Sequence, residues 1–264
     1  MSLILSEINL YPVKSTMGHA VASATVEARG LQGDRRWMIV DETGRFITQR
    51  EQARMRLIHA RFTDGQVRLQ ADGFGEIVLA VDDERLDVTV WKDRVSARLA
   101  TPAVQAWVST VLGVNARAVM MDEHSERAAD PHYAQVEDVV SFADGFPLLL
   151  ISVASLAELN TRLAKPVDMR RFRPNLVVQG ATAFAEDGWR SIRIDGLRFD
   201  VVKPCSRCVL TTRDPDSGEL DTEREPLRTL SQYRRQSGGV MFGQNLIARD
   251  HGVIRSGAGI TILD

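Results

Sequence analysis

Apolar and polar residues alternate over short stretches of the first hundred positions, which is the pattern of half-buried β-strands. Pairs such as Asp64-Gly65 and Asp72-Gly73 separate these stretches and favour tight turns. Many short strands at even spacing predict a β-barrel or a sandwich. The predicted strands of this part cover residues 3–13, 37–40, 46–48, 67–69, 76–79 and 86–90, and residues 41–45 are predicted to be the turn of a hairpin.

Helical spacing of apolar residues begins only after residue 100. Residues 101–113 combine a Thr cap, a Pro at the first helical position and a terminal Gly. Residues 152–163 place three leucines on one stripe, and residues 226–233 are a third, shorter candidate. The pattern predicts a mostly β protein with packed helices, an α+β fold, with units at 1–100 and 101–264. Strand-like runs between and after the helices cover residues 175–178, 192–194, 197–202, 243–248 and 260–263.

The composition is that of an ordinary globular chain, with 264 residues of which 44% are hydrophobic and 26% charged. The net charge of −2 gives no general field for nucleic acid or an anionic membrane, so neither is expected as a partner. No apolar run approaches the roughly 20 residues of a membrane helix, and no basic leader begins the chain. Two cysteines in so long a chain exclude a secreted disulfide framework. We therefore expect a cytoplasmic protein.

The two cysteines lie close together, in the segment Cys205-Ser206-Arg207-Cys208 after an apolar strand. Three functions compete for such a pair: a redox dithiol, half of a zinc site, or one thiolate that binds a soft metal while the other packs. The thioredoxin pattern is absent, and the five histidines are scattered without ligand spacing. Two buried, inert thiols are the plain alternative. Arg207 weighs against this alternative, because a neighbouring cation favours the thiolate.

Three basic clusters interrupt the apolar strands at their ends. Lys14 and Ser15 end the first strand, Arg35 belongs to the segment that opens the third, and residues 170–175 open a late strand. A solvated basic face explains any one of these clusters. If the strand ends share one rim, however, the Lys and Arg side chains converge, and a bound phosphate requires such convergence. No glycine-rich phosphate loop is present to offer another site.

Taken together, these segments resemble the MOSC family, and within it the branch that contains the amidoxime-reducing components. The resemblance covers nearly the whole chain, and its motifs follow one another in the family's order. The segments that carry it are residues 11–15, 33–37, 146–152, 172–175, 205–212 with 214–218, and 242–245.

The resemblance implies that the protein binds the molybdenum cofactor, a molybdopterin that carries molybdenum on a dithiolene and ends in a phosphate. It implies that Cys208 is the molybdenum ligand and that Cys205 lies nearby without binding the metal. A soft thiolate suits a metal that dithiolene sulfurs already hold. Asp214 and Asp216 either order the loop after Cys208 or are turn residues, and we favour the latter. The cofactor-binding residues implied in the same way are Lys14, Ser15, Arg35, Arg171, Arg173, Asn175 and Cys208.

Arg171 and Arg173 are expected to act together, because alternate residues of a strand share a face. The implied architecture places a β-rich N-terminal unit against a MOSC β-barrel, with the cofactor in the cleft between them. Domain interfaces are favoured places for such pockets. Pyridoxal phosphate binding is a further expectation at the level of the family.

The implied activity is the reductive removal of oxygen from N-hydroxylated compounds such as hydroxylamines, hydroxamic acids and amidoximes. No histidine is placed to serve as a proton donor. Two cysteines alone cannot hold an iron–sulfur cluster that needs four thiolates, and the last predicted strand ends one residue before the end of the chain. We therefore expect electrons from a separate partner protein of the ferredoxin, flavoprotein or cytochrome b5 type.

Two other hypotheses stay open at this point. In the first, the chain carries the cofactor or sulfur without any turnover of its own. In the second, it is a β-barrel binding domain without a metal, which predicts that Cys205 and Cys208 are both buried and unreactive.

Overall fold

Strands dominate the structure, as the alternating pattern predicts. The computed structural model describes residues 2–263, in which the chain forms nineteen β-strands, three α-helices and several 3-10 turns, so the mostly β, α+β fold is confirmed. The strands are β1 (Ile4–Leu10), β2 (His19–Val21), β3 (Ser23–Glu27), β4 (Gly30–Leu31), β5 (Trp37–Val40), β6 (His59–Thr63), β7 (Gln66–Ala71), β8 (Gly75–Val78), β9 (Val81–Val90), β10 (Asp93–Ala100), β11 (Arg117–Met120), β12 (Leu148–Ser152), β13 (Leu176–Gln179), β14 (Ser191–Ile194), β15 (Leu197–Ser206), β16 (Arg235–Gln236), β17 (Gly239–Ala248), β18 (Gly252–Arg255) and β19 (Ile260–Ile262). The helices are α1 (Pro102–Leu112), α2 (Val153–Thr161) and α3 (Leu227–Tyr233).

The largest sheet closes on itself. Its strand order is β19-β14-β15-β17-β12-β13-β1-β2, and β16 pairs with β17 outside this path. Ile4 of β1 forms an antiparallel bridge with Gly259, which directly precedes β19. Next to it, the N–H of Leu5 donates to the carbonyl of Ala258 at 2.8 Å. Seven strands thus form a barrel, which removes the free edges of the sheet. One face of these strands is a fully buried apolar cluster that includes Leu5, Ile8, Leu150, Leu176, Ile192, Phe199 and Leu246.

Three smaller sheets pack beside the barrel. They are β5-β11-β10-β9, β6-β7-β8 and β18-β3-β4, and all their pairings are antiparallel. Helix α1 covers the first two of them, with Val104, Val108 and Val111 in a cluster that also contains Ile39 and Leu69. Strands β1 and β2, in contrast, lie in the barrel sheet beside β13. The division into units at residue 100 stays a prediction.

Helix α1 begins and ends at the residues that the sequence indicates, and α2 begins as predicted but ends at Thr161, two residues before the predicted end. Pro102 opens α1, and Gly113 ends it in the left-handed conformation, with φ of 69°. Thr101 stands at the cap position, although its side chain makes no capping hydrogen bond. Ser152 caps α2 by accepting the N–H of Ser155 at 3.1 Å. No helix in residues 2–263 is long and apolar enough to cross a membrane.

Two strand predictions are wrong. The segment 46–48 contains only an isolated bridge between Phe46 and Val40, so the predicted hairpin lacks a regular second strand. Residues 170–173 do not open a strand, because a 3-10 turn covers Met169–Arg171 and Arg173 then adopts a φ of 56°. The strand β13 begins only at Leu176. Several short or polar strands, among them β6, β10 and β18, have no predicted counterpart.

We predict that Gly243→Ala destabilises the barrel far more than Gly257→Ala. Both glycines have left-handed φ values, 82° and 88°, which cost an alanine about 1–2 kcal/mol. At Gly243, which lies in β17, an added Cβ would also lie 2.6 Å from Cγ1 of Ile151 and 2.9 Å from the carbonyl oxygen of Leu150. At Gly257, no atom lies within 4 Å. Urea unfolding should show that Gly243→Ala lowers the free energy of unfolding by at least about 3 kcal/mol. Equal losses in the two variants would contradict this account of β17.

Candidate functional site

A cavity of about 330 Å³ brings together the residues that the sequence singles out. It opens where the barrel meets the smaller sheets. Six of its lining side chains are basic, and Asp144 is the only acidic one among the described residues that line it. All seven residues predicted to bind the cofactor line this cavity: Lys14, Ser15, Arg35, Arg171, Arg173, Asn175 and Cys208.

Strand pairing explains why these distant segments meet. Lys14 and Ser15 follow β1, which pairs with β13, and Asn175 directly precedes β13. Arg35 lies in the turn before β5, and its N–H donates to the carbonyl of Tyr11 at 2.8 Å. Cys208 follows the end of β15, which pairs with β17. Both walls of the cavity therefore depend on the barrel register.

Unusual backbone conformations are concentrated at the cavity. Eight non-glycine residues in the described part of the chain have positive φ, and four of them line it: Ser15 (64°), Arg35 (49°), Trp91 (56°) and Arg173 (56°). Such conformations are uncommon for these residue types and cost free energy. They persist where the surroundings fix them, and they cluster at functional sites. The distribution of strain thus points to the same cavity as the motifs do.

Lys14 is buried and forms an ion pair at the edge of the cavity. Its ammonium donates to Oδ1 of Asp144 at 2.5 Å and to the carbonyl of Phe142 at 2.7 Å. Burial lowers the pKa of Lys14, although the Asp144 carboxylate acts against this shift. Burial also tends to raise the pKa of Asp144, but the charge and hydrogen bond of Lys14 outweigh it and hold that pKa well below its usual range. The Asp144 side chain lies in a crevice and keeps 74% of its surface accessible.

A buried network around Arg35 joins the two halves of the chain. Nη1 of Arg35 donates to the Asp34 carboxylate at 2.5 Å and to Oδ1 of Asn175 at 3.0 Å. The Asn175 amide in turn donates to the carbonyl of Asn9 at 3.1 Å. Asp34 also accepts the backbone N–H of Tyr11 at 2.8 Å. The Arg35 guanidinium therefore has hydrogen-bond partners within the protein, and one carboxylate, that of Asp34, balances its charge.

Tyr11 lies between two guanidinium groups. The Arg35 and Arg173 groups are centred 4.6 and 4.2 Å from its ring, within cation–π distance. Burial raises the pKa of Tyr11 to about 12, so the phenol stays neutral at physiological pH. Its O–H donates to the carbonyl of Pro174 at 3.3 Å. The ring thereby fixes both cations at the wall of the cavity.

Arg173 has unused hydrogen-bonding capacity. Nη1 donates to the carbonyl of Thr16 at 2.8 Å, but Nη2 is buried and has no partner among the described residues. Burial lowers the pKa of Arg173 to about 10, since no carboxylate is bonded to it, and it stays charged at pH 7. Nε of Arg207 is likewise buried without a partner. Buried donors of this kind are normally satisfied, so these two indicate an acceptor that the protein itself does not supply.

The two cysteines differ in exposure and contacts. Cys205 is half-buried, and its sulfur accepts Nη1–H of Arg207 at 3.0 Å. Cys208 is exposed, and its sulfur forms no hydrogen bond with any described residue. Arg207 therefore contacts the first cysteine rather than the second. The exposure of Cys208 contradicts the hypothesis of a metal-free domain in which both thiols are buried.

Arg171 and Arg173 both line the cavity, but not because they share a strand face. Arg171 ends the 3-10 turn and donates from Nη2 to Asp214 at 3.2 Å. Asp214 also accepts the N–H groups of Asp216 and Ser217, as a turn residue does. Asp216 binds Arg170 through two hydrogen bonds of 2.8 and 2.9 Å. Both aspartates thus form the turn and also tie the loop after Cys208 to the basic segment.

Some lining residues had no signal in the sequence. Trp91 occupies a hairpin turn between β9 and β10, and Lys203 belongs to β15. Each is a single residue in an ordinary strand or turn pattern. Only the strand register, which the sequence pattern does not specify, shows that they face the cavity. Asp144 lies two residues before the motif at 146–152, and its pairing with Lys14 spans 130 positions.

Fold and site together define a mostly β protein with a basic cleft that carries one exposed thiol. Residues 2–115 match the MOSC N-terminal beta barrel domain, and residues 137–261 match the MOSC domain. The chain therefore belongs to the MOSC family, in the branch of the amidoxime-reducing components.

Individual relatives agree with this assignment over most of the chain. The chain is 32% identical to mitochondrial amidoxime-reducing component 1 of Xenopus laevis, over 96% of this chain and 80% of the relative. It is 36% identical to mitochondrial amidoxime reducing component 2 of Rattus norvegicus, over 87% and 72%. Molybdenum cofactor sulfurase of Oryza sativa subsp. japonica is 29% identical over 90% of this chain, which corresponds to 32% of that longer protein.

We predict that the ring of Tyr11, and not its hydroxyl, stabilises the site. Tyr11→Phe loses a single hydrogen bond of 3.3 Å and should lower the free energy of unfolding by about 1 kcal/mol or less. Tyr11→Leu also removes the ring between two guanidinium groups and should lower it by about 2–3 kcal/mol. Chemical denaturation measures both losses. Equal effects of the two substitutions would contradict a role for the ring.

Proposed function

We propose that the protein is a molybdenum-cofactor-dependent reductase that removes oxygen from N-hydroxylated compounds. The observation that carries the proposal is the cleft itself, where an exposed thiol and buried, unpartnered guanidinium groups line one cavity. A thiol provides a soft metal ligand, and the guanidinium groups provide donors for a phosphate. Relatives whose names describe amidoxime reduction support the choice of substrate class.

The residues present fit this cofactor. Nη2 of Arg173 and Nε of Arg207 are buried donors that lack acceptors among the described residues, as the binding of an anionic group requires. Lys14, Ser15 and Arg35 lie on the same wall and would hold the phosphate and its surroundings. Asn175 would act through Arg35, because its amide oxygen accepts Nη1–H of that arginine at 3.0 Å.

Cys208 would be the protein's ligand to molybdenum. Among the described residues, no group of three or more His, Cys, Asp or Glu side chains is placed to hold a metal ion. The dithiolene of the cofactor would supply further ligands, and its sulfurs suit a soft metal. Arg207 fixes Cys205 through its sulfur, so the first cysteine supports the loop.

When bound, the molybdenum cofactor supplies two-electron oxygen-transfer chemistry, and the overall reaction converts an N–OH group, two electrons and two protons into N–H and water. The chain orients the reactants and provides hydrogen-bond donors. Lys14 is occupied by Asp144 and Phe142. Nζ of Lys203 lies 4.4 Å from the centre of the Tyr133 ring and has no hydrogen bond to any described residue, so its protons are available to a ligand. We propose Lys203 as the donor that faces the cavity.

The electrons would come from a separate protein of the ferredoxin, flavoprotein or cytochrome b5 type. The cytoplasmic location expected from the sequence stays a prediction, and the two animal relatives are mitochondrial by name. Pyridoxal phosphate binding also stays a prediction.

A carrier of the cofactor without turnover is the second candidate. The similarity to a molybdenum cofactor sulfurase, which covers 32% of that protein, favours it as an alternative. Both candidates require the cleft and Cys208. Only the reductase requires oxidation of the reduced protein by an N-hydroxylated compound.

We predict one molybdenum atom per chain in protein produced by a host that makes the cofactor. Cys208→Ala should lose most of the metal, because the proposed protein ligand is gone, whereas Cys205→Ala should retain it. Elemental analysis of the purified proteins measures this directly. With chemically reduced protein, Cys208→Ala should also lower the rate of amidoxime reduction at least about a hundredfold.

Equal metal content in the wild type and Cys208→Ala would overturn the assignment of the ligand. A wild-type protein that holds molybdenum but is never reoxidised by hydroxylamines, hydroxamic acids or amidoximes is a carrier, and the reductase proposal then fails.

A further inference from the structure

A second, larger cavity adjoins the cleft. Its volume is about 1080 Å³, and it shares Trp91, Asp144 and Gly145 with the first cavity. Its wall consists mainly of the loop 45–51, the turn between β9 and β10 with the start of β10, and the segment 126–131. This volume slightly exceeds the range of about 300–1,000 Å³ that is typical of small-molecule sites. The shared residues therefore stand where a molecule would pass from one cavity to the other.

Trp91 is held at this boundary in an unfavourable conformation. It occupies the two-residue turn between Val90 and Asp93, which are paired, and its φ is 56°. Glycine and asparagine are the usual residues at such turn positions, and a bulky residue there is an outlier. The side chain is 43% exposed, although tryptophan is among the largest apolar residues. A strained and exposed indole at the junction of two cavities suggests a function in binding.

The indole is fixed by three neighbours and still presents an aromatic surface. Its Nε1–H donates to Oδ1 of Asp144 at 3.2 Å, and its ring lies 5.1 Å from that of Phe46. The guanidinium of Arg50 is centred 4.6 Å from the indole. The Arg50 contact lies within cation–π distance, and the exposed part of the indole leaves aromatic surface for a ligand.

Asp144 offers an acceptor beside the indole. Its Oδ1 receives the hydrogen bonds of Lys14 and Trp91, whereas Oδ2 has no hydrogen bond to any described residue. The side chain is largely accessible. An N–H or O–H group that lies on the indole can therefore donate to Oδ2. The same carboxylate then contacts both the substrate site and the wall of the cofactor cleft.

We propose that the larger cavity is the substrate site and that Trp91 determines its specificity, as a stacking surface for flat, aryl-substituted N-hydroxylated compounds. This inference rests on the proposed function and adds to it the shape of the substrate. Aromatic stacking favours a substrate with a ring next to the N–OH group over an aliphatic analogue. Asp144 accepts a hydrogen bond from the nitrogen-bearing end of the substrate.

The test compares benzamidoxime with acetamidoxime in the chemically reduced holoenzyme. Trp91→Leu removes the stacking surface, and Trp91→Phe keeps an aromatic ring but loses the hydrogen bond to Asp144. For benzamidoxime, we expect KM to rise about tenfold in Trp91→Leu and about threefold or less in Trp91→Phe, with kcat changed less than about twofold. For acetamidoxime, KM should change less than about twofold in both variants. Equal changes for the two substrates would overturn the proposal.

A binding measurement separates this inference from the proposed function. The chain contains four tryptophans, so an amide-correlation NMR spectrum shows four indole N–H signals, and Trp91→Phe identifies one of them by its loss. Addition of benzamidoxime to the purified protein should shift the Trp91 signal and leave the other three in place, whereas acetamidoxime should shift none at the same concentration. The three unchanged signals also report that each variant is folded.

The outcomes are distinguishable. A shift of the Trp91 signal in a protein that reduces no amidoxime would support the binding site and refute the reductase. Turnover of both compounds without any shift or any KM effect at Trp91 would support the reductase and refute the stacking site.

Discussion

Uncompensated positive charge, buried where the barrel meets the smaller sheets, is the constraint on which this site depends. The Arg35 guanidinium is balanced by Asp34, but nothing equivalent is bonded to Arg173. The ring of Tyr11 keeps the two cations in place by contacts that neutralise neither. Burial of an unpaired charge is costly unless something else satisfies it. The folded chain therefore stores part of the binding free energy for an anion, and the segments that meet at Tyr11 are aligned in advance by strand pairing.

The sequence predicts the site better than it predicts the path of the backbone through it. All seven implied cofactor residues line one cavity, because the segments that carry them lie next to strands that pairing brings together. The expectation that Arg171 and Arg173 share one face of a strand is nevertheless wrong. A 3-10 turn and the left-handed conformation of Arg173 bring them to the cavity instead. Residues outside the motifs, such as Trp91 and Lys203, could not be found from the sequence. Their position follows from register and turn geometry, which local patterns specify weakly.

For the fold, the clearest predictions are those with a local physical signal. Helix α1 has Pro102 and Gly113 at its ends, and both act as predicted. The sequence pattern predicts β9 only from residue 86, because its first half is mostly polar and exposed, and it does not predict the partner strand β10. The closure of the barrel through Ile4 and Gly259 joins positions 255 residues apart in the sequence. No periodicity within a segment indicates such a pairing, because it depends on the whole sheet.

The two cavities bear on the choice between a reductase and a carrier. A carrier needs one cleft that holds the cofactor, and the smaller cavity with Cys208 would suffice for it. A reductase also needs room for a second molecule beside the first, and the larger cavity begins at Trp91 and Asp144, where the cleft ends. Maintaining Trp91 at positive φ in that position costs stability, and a carrier would gain nothing from it. The strained turn between β9 and β10 therefore favours a protein that binds cofactor and substrate at the same time.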